Sequence, residues 1–397
     1  MKPVQLKENI WWVGEIDWDL RNFHGYSTGR GSTYNAYLII DEKITLIDNV
    51  KYYLFEEMIK RISQIIDPQK IDYIVQNHVE MDHSSGLPLL MELVPNATIF
   101  TNAMGIKGLK LHYKKDWNFR EVKTGDSIST GKHNLTFLTT PMVHWPDNMV
   151  TYCPEEKLLF SNDAFGQHIA SSERFDTEFP IGIIMEEARK YYANIVLPYS
   201  KQVQNVLKAA APLEIEMIAP SHGLIWTKHI PDILKAYTDW AYSVANPKEA
   251  LIIYDTMWKS TQKMAYAIGE AFNHQGINIT MLNLQENHIS DIMTQVMSAK
   301  FICVGSPTLN SSILPTVAAF LYYLKGLSPK NRIGMAFGSY GWGGQSVDIV
   351  HHLLGDEKEC GFEMLEPIRT QYIPDEETLK AITRQTEENI KKHMEEK

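Results

Sequence analysis

The chain has 397 residues, 44% of them hydrophobic and 22% charged, which excludes disordered and fibrous classes and suits two or three domains. Acidic residues outnumber basic ones, 48 to 38, and the formal charge of −10 argues against a nucleic-acid partner, which selects for a basic surface. No apolar run approaches the roughly 20 residues that span a bilayer, and residues 1–8 lack the apolar centre of a signal peptide, so a cytoplasmic protein with no membrane partner is expected.

In chain order, residues 37–40 and 44–47, joined by the polar turn Asp41-Glu42-Lys43, read as a hairpin. Leu54, Met58, Ile62 and Ile65 recur at helical spacing and predict a helix. Further strands are predicted at 73–75, 98–100, 135–138, 149–152, 158–160 and 216–219, and helical segments flank Pro198, which breaks them. Residues 1–247 thus read as a sheet-rich layered domain with helices outside. Asn246-Pro247-Lys248-Glu249 reads as a linker, because proline biases the residue before it away from helical angles. Beyond it the rhythm is strand–loop–helix. Strands are predicted at 250–254, 278–283, 301–305, 332–337 and 363–369, and helices at 261–272, 291–297, 317–324, 346–354 and 376–393. Such alternation predicts a parallel sheet covered on both faces, in a second domain of residues 248–397. Cys153, Cys303 and Cys360 form no C-x-x-C pair, which disfavours a disulfide framework, a zinc ribbon or a rubredoxin-type iron site.

The most informative stretch is His78-Val79-Glu80-Met81-Asp82-His83, just after a predicted strand. In an extended segment side chains alternate, so His78, Glu80 and Asp82 point the same way, and His83 turns in as a helix begins at a Ser84 or Ser85 cap. Adjacent acids with no Lys or Arg nearby repel one another, and a cation is the simple remedy. Matching donors, His144, Asp163 and His222, stand at three other strand ends. A lone histidine is more often a packing residue than a ligand. Seven donors at four strand ends reverse those odds.

This H-x-E-x-D-H run, with the later His, Asp and His, resembles the metallo-β-lactamase fold in the variant found in flavodiiron proteins. Lactamase zinc sites typically read H-x-H-x-D-H. Glu80 stands where their second histidine does, and a carboxylate there favours iron over zinc. The resemblance implies one iron on His78, Glu80 and His144, another on Asp82, His83 and His222, and Asp163 bridging the two. Charge counting agrees: two ferrous ions bring four positive charges, the three carboxylates bring three negative ones, and a bridging hydroxide neutralises the rest. By the same likeness His24 and Tyr192 line the substrate pocket, hydrogen-bonding there or supplying protons, and Trp145 walls it. For Tyr192 a helix residue packing on the core is the plain alternative. His168 is expected to be a structural neighbour of the Asp163 loop, and His351 and His352 to be solvated.

In the second half an apolar strand runs into the hydroxyl-rich loop Thr256-Met257-Trp258-Lys259-Ser260-Thr261 and then a helix. Backbone N–H groups at that helix start, with the Thr256, Ser260 and Thr261 hydroxyls, suit a phosphate, although such a cluster can also merely cap a helix. Neither G-x-x-x-x-G-K-[ST] nor G-x-G-x-x-G is present to indicate a triphosphate or a dinucleotide. Ser306-Pro307-Thr308-Leu309-Asn310 and Gly338-Ser339-Tyr340-Gly341-Trp342-Gly343 come after two later strands, at the ends where open parallel sheets bind ligands. Tyr340 or Trp342 can stack on a flat ring. The ensemble resembles flavodoxin and implies FMN.

Together the halves resemble a flavodiiron protein over essentially the whole chain. The implied architecture is α/β, an N-terminal metallo-β-lactamase-like αββα sandwich followed by a C-terminal flavodoxin-like doubly wound parallel sheet. The implied activity is FMN-dependent diiron reduction of dioxygen to water, of nitric oxide to nitrous oxide, or of both. Full reduction of dioxygen takes four electrons, of which a diiron site stores two and FMN delivers two. No further domain is expected after the flavin half, so electrons are expected from an external donor, rubredoxin or a reduced deazaflavin. A head-to-tail homodimer, or a dimer of dimers, is expected to bring one chain's FMN beside its partner's irons. A dinuclear zinc hydrolase fused to a flavodoxin-like module and a non-catalytic electron carrier are the competing readings. Glu80 counts against the first, the intact ligand set against the second.

Overall fold

The computed structural model describes residues 1–395, which divide into one unit of residues 1–191 and 199–238 and another of 192–198 and 239 onward. In the first unit burial alternates across a seven-stranded sheet, in the order Val4–Lys7, Ile10–Trp12, Tyr37–Ile39, Thr45–Ile47, Tyr73–Val75, Thr98–Thr101, Phe119–Glu121. Tyr37, Ile39, Ile47, Val75 and Phe100 share a core with Leu135, Phe137, Met149, Leu158 and Phe160 of a second sheet. Leu38, Leu46, Ile74 and Ile99, one residue out of step, pack instead with Met58, Ile62, Leu90 and Leu109 of the covering helices. The second sheet runs Ser127–Ser129, Asn134–Thr139, Met149–Cys153, Leu158–Asn162, Met217–Pro220 and turns Val150, Tyr152 and Leu159 to its outer face. Each fully buried aliphatic or aromatic side chain contributes roughly 1.5–3 kcal/mol. Side chains that face alternately the shared core and the outer layers give the αββα sandwich.

Pro198 does interrupt a helical stretch. The helix Ile181–Tyr191 widens into a π turn, Tyr192–Val196, then tightens into a 3-10 turn, Leu197–Tyr199, before Ser200–Ala210.

The second unit is a parallel sheet in the order Asn278–Asn283, Asn246–Tyr254, Ala299–Gly305, Ile333–Tyr340, with Glu363–Met364 and Ile368–Gln371 both pairing the last of these. Ala250, Ile252 and Tyr254 pack with Met264, Ile268 and Phe272 of the helix Ser260–His274, while Leu251 and Ile253 are buried between them in sequence. Burial on both faces accounts for the unbroken apolar run. The expected linker instead opens the central strand. Pro247 falls between Asn246 and Ala250, where the register against Ala299–Gly305 shifts, and a bulged strand start tolerates its missing N–H. The segment read as a single strand at 363–369 is two short ones. Among the described residues no helix is long and apolar enough to cross a membrane.

One of the contacts that tie the two sheets of the sandwich is a carboxylate. Asp41, in a hairpin turn of one sheet, accepts from the Thr130 hydroxyl at 3.1 Å and the His133 N–H at 3.0 Å, in a turn of the other. Burial pushes its carboxyl up, but the N–H groups of Lys132, His133 and Glu42 outweigh this and hold it down at about 2. A carboxylate held below its unfolded value of about 3.9 stabilises the fold above that pH and loses the contribution as pH falls through about 2. Asp41→Asn is therefore expected to lower the urea midpoint at about pH 6, with the deficit shrinking as unfolding is repeated towards about pH 2.

Candidate metal and flavin sites

The strand Tyr73–Val75 ends where side chains begin to curl the backbone. The Gln76 amide donates to the carbonyls of both His78, at 2.6 Å, and His83, at 3.0 Å. Asp48 accepts from the Asn77 N–H at 2.8 Å and from its side-chain amide at 2.9 Å. The extended run expected past Val75 is thus replaced by a loop. A short helix, Met81–Ser84, starts ahead of the expected Ser84 or Ser85 cap and carries Asp82 and His83. A loop and a helical turn, rather than strand alternation, gather these four donors.

All seven expected donors converge, in two groups. His78, Glu80, His144 and Asp163 form one and Asp82, His83 and His222 the other, with ligand atoms in each within 4.8 Å of one another. Asp163 faces both. Its Oδ2 lies 3.6 Å from His78 Nε2 and 3.4 Å from His144 Nε2, and its Oδ1 lies 2.9 Å from His83 Nε2 and 3.5 Å from His222 Nε2. Glu80 Oε2 completes the first group at 3.3 Å from His78 and 3.4 Å from His144; Asp82 Oδ2 lies 3.3 Å from His222 in the second.

Close as these atoms are, both oxygens of Asp82 and Asp163 and both ring nitrogens of His83 are buried without a hydrogen-bond partner. His83 Nε2 and Asp163 Oδ1 come within 2.9 Å yet do not meet in hydrogen-bonding geometry. Orphaned buried polar atoms cost about 1–3 kcal/mol each, and cations between the groups satisfy them. The residues fit a two-metal centre.

Neighbours set the donor nitrogens. His78 Nδ1 bonds Asp147 Oδ2 at 2.8 Å, and His222 Nδ1 donates to the Thr33 carbonyl at 2.7 Å, which turns each Nε2 lone pair to the cluster. Burial disfavours charge on His83, yet Asp82 and Asp163 outweigh it and lift the ring to about 9. Burial also opposes charge on Asp163 and Glu80, but surrounding imidazoles hold both well below the usual carboxylate range. An entering cation displaces the protons on these rings, so metal uptake releases protons.

His24 reaches the centre from its exposed rim, Nε2 lying 3.0 Å from Glu80 Oε1, and that hydrogen bond raises its pKa. The Trp145 ring stands 5.1 Å from that of His78, as a wall. Tyr191 and Tyr192 are placed differently. The ring beside His222 is that of Tyr191, at 5.9 Å, whereas Tyr192 belongs to the other unit and packs on Trp240 at 5.3 Å. The helix ends at Tyr191 and the wider π turn carries Tyr192, so the two neighbouring rings face different partners. His168 is a neighbour of more consequence than expected. Its ring lies 4.8 Å from that of His222, tilted to it, and burial together with His222 drives its pKa well down. Gln76, Asp48 and Asp147 carry no sequence signal as plain as that of the donors. Asp147 has the best one, as a carboxylate three residues beyond His144.

In the second unit a cavity of about 630 Å³ opens at the C-terminal strand ends. Thr256, Met257, Trp258 and Ser260 line it from the first expected loop, Pro307, Thr308 and Asn310 from the second, and Ser339, Tyr340, Gly341, Trp342 and Gly343 from the third. The remaining expected residues shape the loops. Lys259 turns through a φ of 65° ahead of the helix, the Thr261 hydroxyl bonds that of Ser339 at 3.0 Å, and Leu309 closes a turn on Ser312. The Ser306 hydroxyl accepts from the Leu314 N–H at 3.0 Å, and Gly338 lies so close to the Ser306 carbonyl that no Cβ fits.

The helix Ser260–His274 has no side-chain cap, which leaves its first N–H groups to a ligand, and Thr256 Oγ1 is buried without a partner. Both features suit a phosphate. Trp258 and Trp342, 86% and 95% exposed, offer flat faces for a ring system. The residues fit FMN. Ser311, Gln345, Tyr372 and Ile373 also line the cavity. Tyr372 and Ile373 lie past the strand expected to end at residue 369; that strand runs on to Gln371 and delivers another loop to the same edge.

Residues 33–223 match the family described as ODP family beta lactamase, and residues 252–385 match Flavodoxin. A nitric oxide reductase of Moorella thermoacetica is 46% identical over 385 residues, 95% of this chain and 96% of its own. A Coenzyme F420H(2) oxidase of Methanocaldococcus jannaschii is 41% identical over 94% of this chain and 93% of its own. The solved structure of rubredoxin oxygen:oxidoreductase from Desulfovibrio gigas superposes with a TM-score of 0.94 at 39% identity, covering 99% of this chain and 100% of that one.

Asp163→Ala removes the carboxylate common to both groups. Metal analysis after loading with ferrous iron is expected to find about two ions per chain in the parent and about one or none in the variant, with circular dichroism unchanged. Thr256→Val is expected to weaken FMN binding about tenfold, the ~1.4 kcal/mol of one hydrogen bond to a charged group, read by flavin fluorescence titration.

Proposed function

The chain belongs to the flavodiiron protein family, and from that membership we propose that it is an FMN-dependent diiron reductase converting dioxygen to water, nitric oxide to nitrous oxide, or both. Residues 1–247 would hold the metal pair and residues 248–397 the flavin. The observation that carries this reading is Asp163, whose two oxygens serve two separate groups of donors. Glu80, a hard carboxylate in a position that zinc hydrolases give to imidazole, supports iron.

Two irons and FMN, when bound, supply the electrons for the gas. The chain's own residues do the remaining work. Asp147 and the Thr33 carbonyl keep His78 and His222 in the tautomer that presents Nε2. His24 holds a proton at Nε2 against Glu80, at the rim where solvent can replenish it. Trp145 and Phe23 exclude water around the histidines, the Phe23 ring lying 4.3 Å from that of His24 and 6.4 Å from that of His222.

The electron donor in this proposal is external. The relatives' names supply two chemistries for it, rubredoxin in one case and a reduced deazaflavin of the F420H(2) kind in the other. A head-to-tail homodimer, or a dimer of such dimers, and a cytoplasmic location complete the proposal. Anaerobically reduced protein loaded with iron and FMN is expected to consume dioxygen without releasing peroxide, to form nitrous oxide from nitric oxide, or both. Copious peroxide with no nitrous oxide overturns the assignment, as does a protein that isolates with two zinc ions and hydrolyses instead.

A further inference from the structure

A second cavity, of about 300 Å³, lies in the first unit between the outer face of the five-stranded sheet and the helices Ser200–Ala210 and Ile230–Ala241. Its walls are mostly hydrocarbon, with Thr140, Tyr237 and Thr238 among them, and it opens to solvent where Ala211 and Thr238 are exposed. Val150 and Leu159 line it from the sheet and Leu207 from a helix, while Val143, Ala164 and Phe165 line it next to the metal-binding loops. These last three are chain neighbours of donors: Val143 precedes His144, and Ala164 and Phe165 come directly after Asp163.

The Tyr237 and Thr238 hydroxyls at the wall have protein partners. The Phe165 N–H donates to the Tyr237 hydroxyl at 2.7 Å, and the Thr238 hydroxyl donates to the Leu234 carbonyl at 2.8 Å. Water is held firmly in such a space only with two to four polar partners of its own, and apolar cavities of about 150 Å³ take up xenon. A small apolar gas gives up no hydrogen bonds on entering and gains dispersion contacts.

We propose that this cavity is a reservoir for small apolar gas molecules, which pass from it to the metal-binding loops at Val143, Ala164 and Phe165. Naming the gases dioxygen and nitric oxide rests on the function proposed above; the affinity of the cavity for an inert gas does not. The arrangement separates traffic. Protons arrive at the exposed His24 side, and gas arrives through hydrocarbon.

Xenon is the probe, applied to the iron- and FMN-loaded protein. Xenon-pressurised crystals are expected to show xenon against Leu159 and Leu207, and xenon NMR to report the same site in solution. Val206→Phe and Leu207→Trp fill the space from a helix remote in sequence from every donor. They are expected to abolish xenon occupancy and to raise KM for dioxygen roughly threefold or more. The kcat at saturating gas, the metal content and the rate of flavin reduction by the donor are expected to stay unchanged. Absence of xenon from the parent protein overturns the proposal, and so does an unchanged KM in a filled variant that excludes xenon. Should the filled variants fail to fold, xenon pressure on the parent protein decides the matter. It must raise KM for dioxygen without lowering kcat, and no change overturns the proposal. A chain that binds xenon here yet reduces neither gas refutes the catalytic reading, and the delivery role with it, while a reductase without xenon refutes the reservoir alone.

Discussion

Three carboxylates and four imidazoles crowd into a volume from which water is largely excluded, and the first unit is organised around making that crowding tolerable. Left alone, Glu80, Asp82 and Asp163 repel, and burial magnifies the repulsion. The structure interleaves each with imidazoles, so the pKa values of Glu80 and Asp163 fall and those of His78, His83 and His144 rise. A proton is a poor substitute for a metal here, because it satisfies one lone pair and leaves the others orphaned. A pair of cations satisfies the whole set, and Asp163 is the geometric reason there are two.

How much of this is legible in the sequence depends on whether the signal is local. The strands Tyr37–Ile39 and Thr45–Ile47, buried on both faces, are legible as short apolar runs, as is the central strand of the second unit. The donors are legible because types that do not belong in a core recur at strand ends. The backbone that gathers them is not, because the curl after Val75 depends on one glutamine amide reaching two carbonyls five residues apart. Tyr191 and Tyr192 mark another limit. Neighbouring tyrosines are indistinguishable by composition, and a single widened helical turn decides which of them meets His222. Pro247 misleads for a related reason, since its local bias is real but a register shift in the ladder absorbs it.

The two units solve opposite problems with the same device, the strand end. In the sandwich the ends supply side-chain donors to hard cations, and the backbone serves mainly to hold them. In the parallel sheet they supply backbone N–H groups, small residues and flat rings to an organic cofactor. Gly338 illustrates the difference, since two loops approach there more closely than any side chain allows. Electron transfer needs both chemistries, because a flavin accepts electrons in pairs or singly while a metal pair holds both atoms of a small oxidant.

The donors are also divided by sheet. His78, Glu80, Asp82 and His83 come after a strand of the seven-stranded sheet, whereas His144, Asp163 and His222 come after strands of the five-stranded one. Iron held between them would work as a stitch across the seam of the sandwich as well as a reactant. A chain without its iron would have only the protons on the interleaved imidazoles to hold the acids together along that edge, and the seam would be left unsewn.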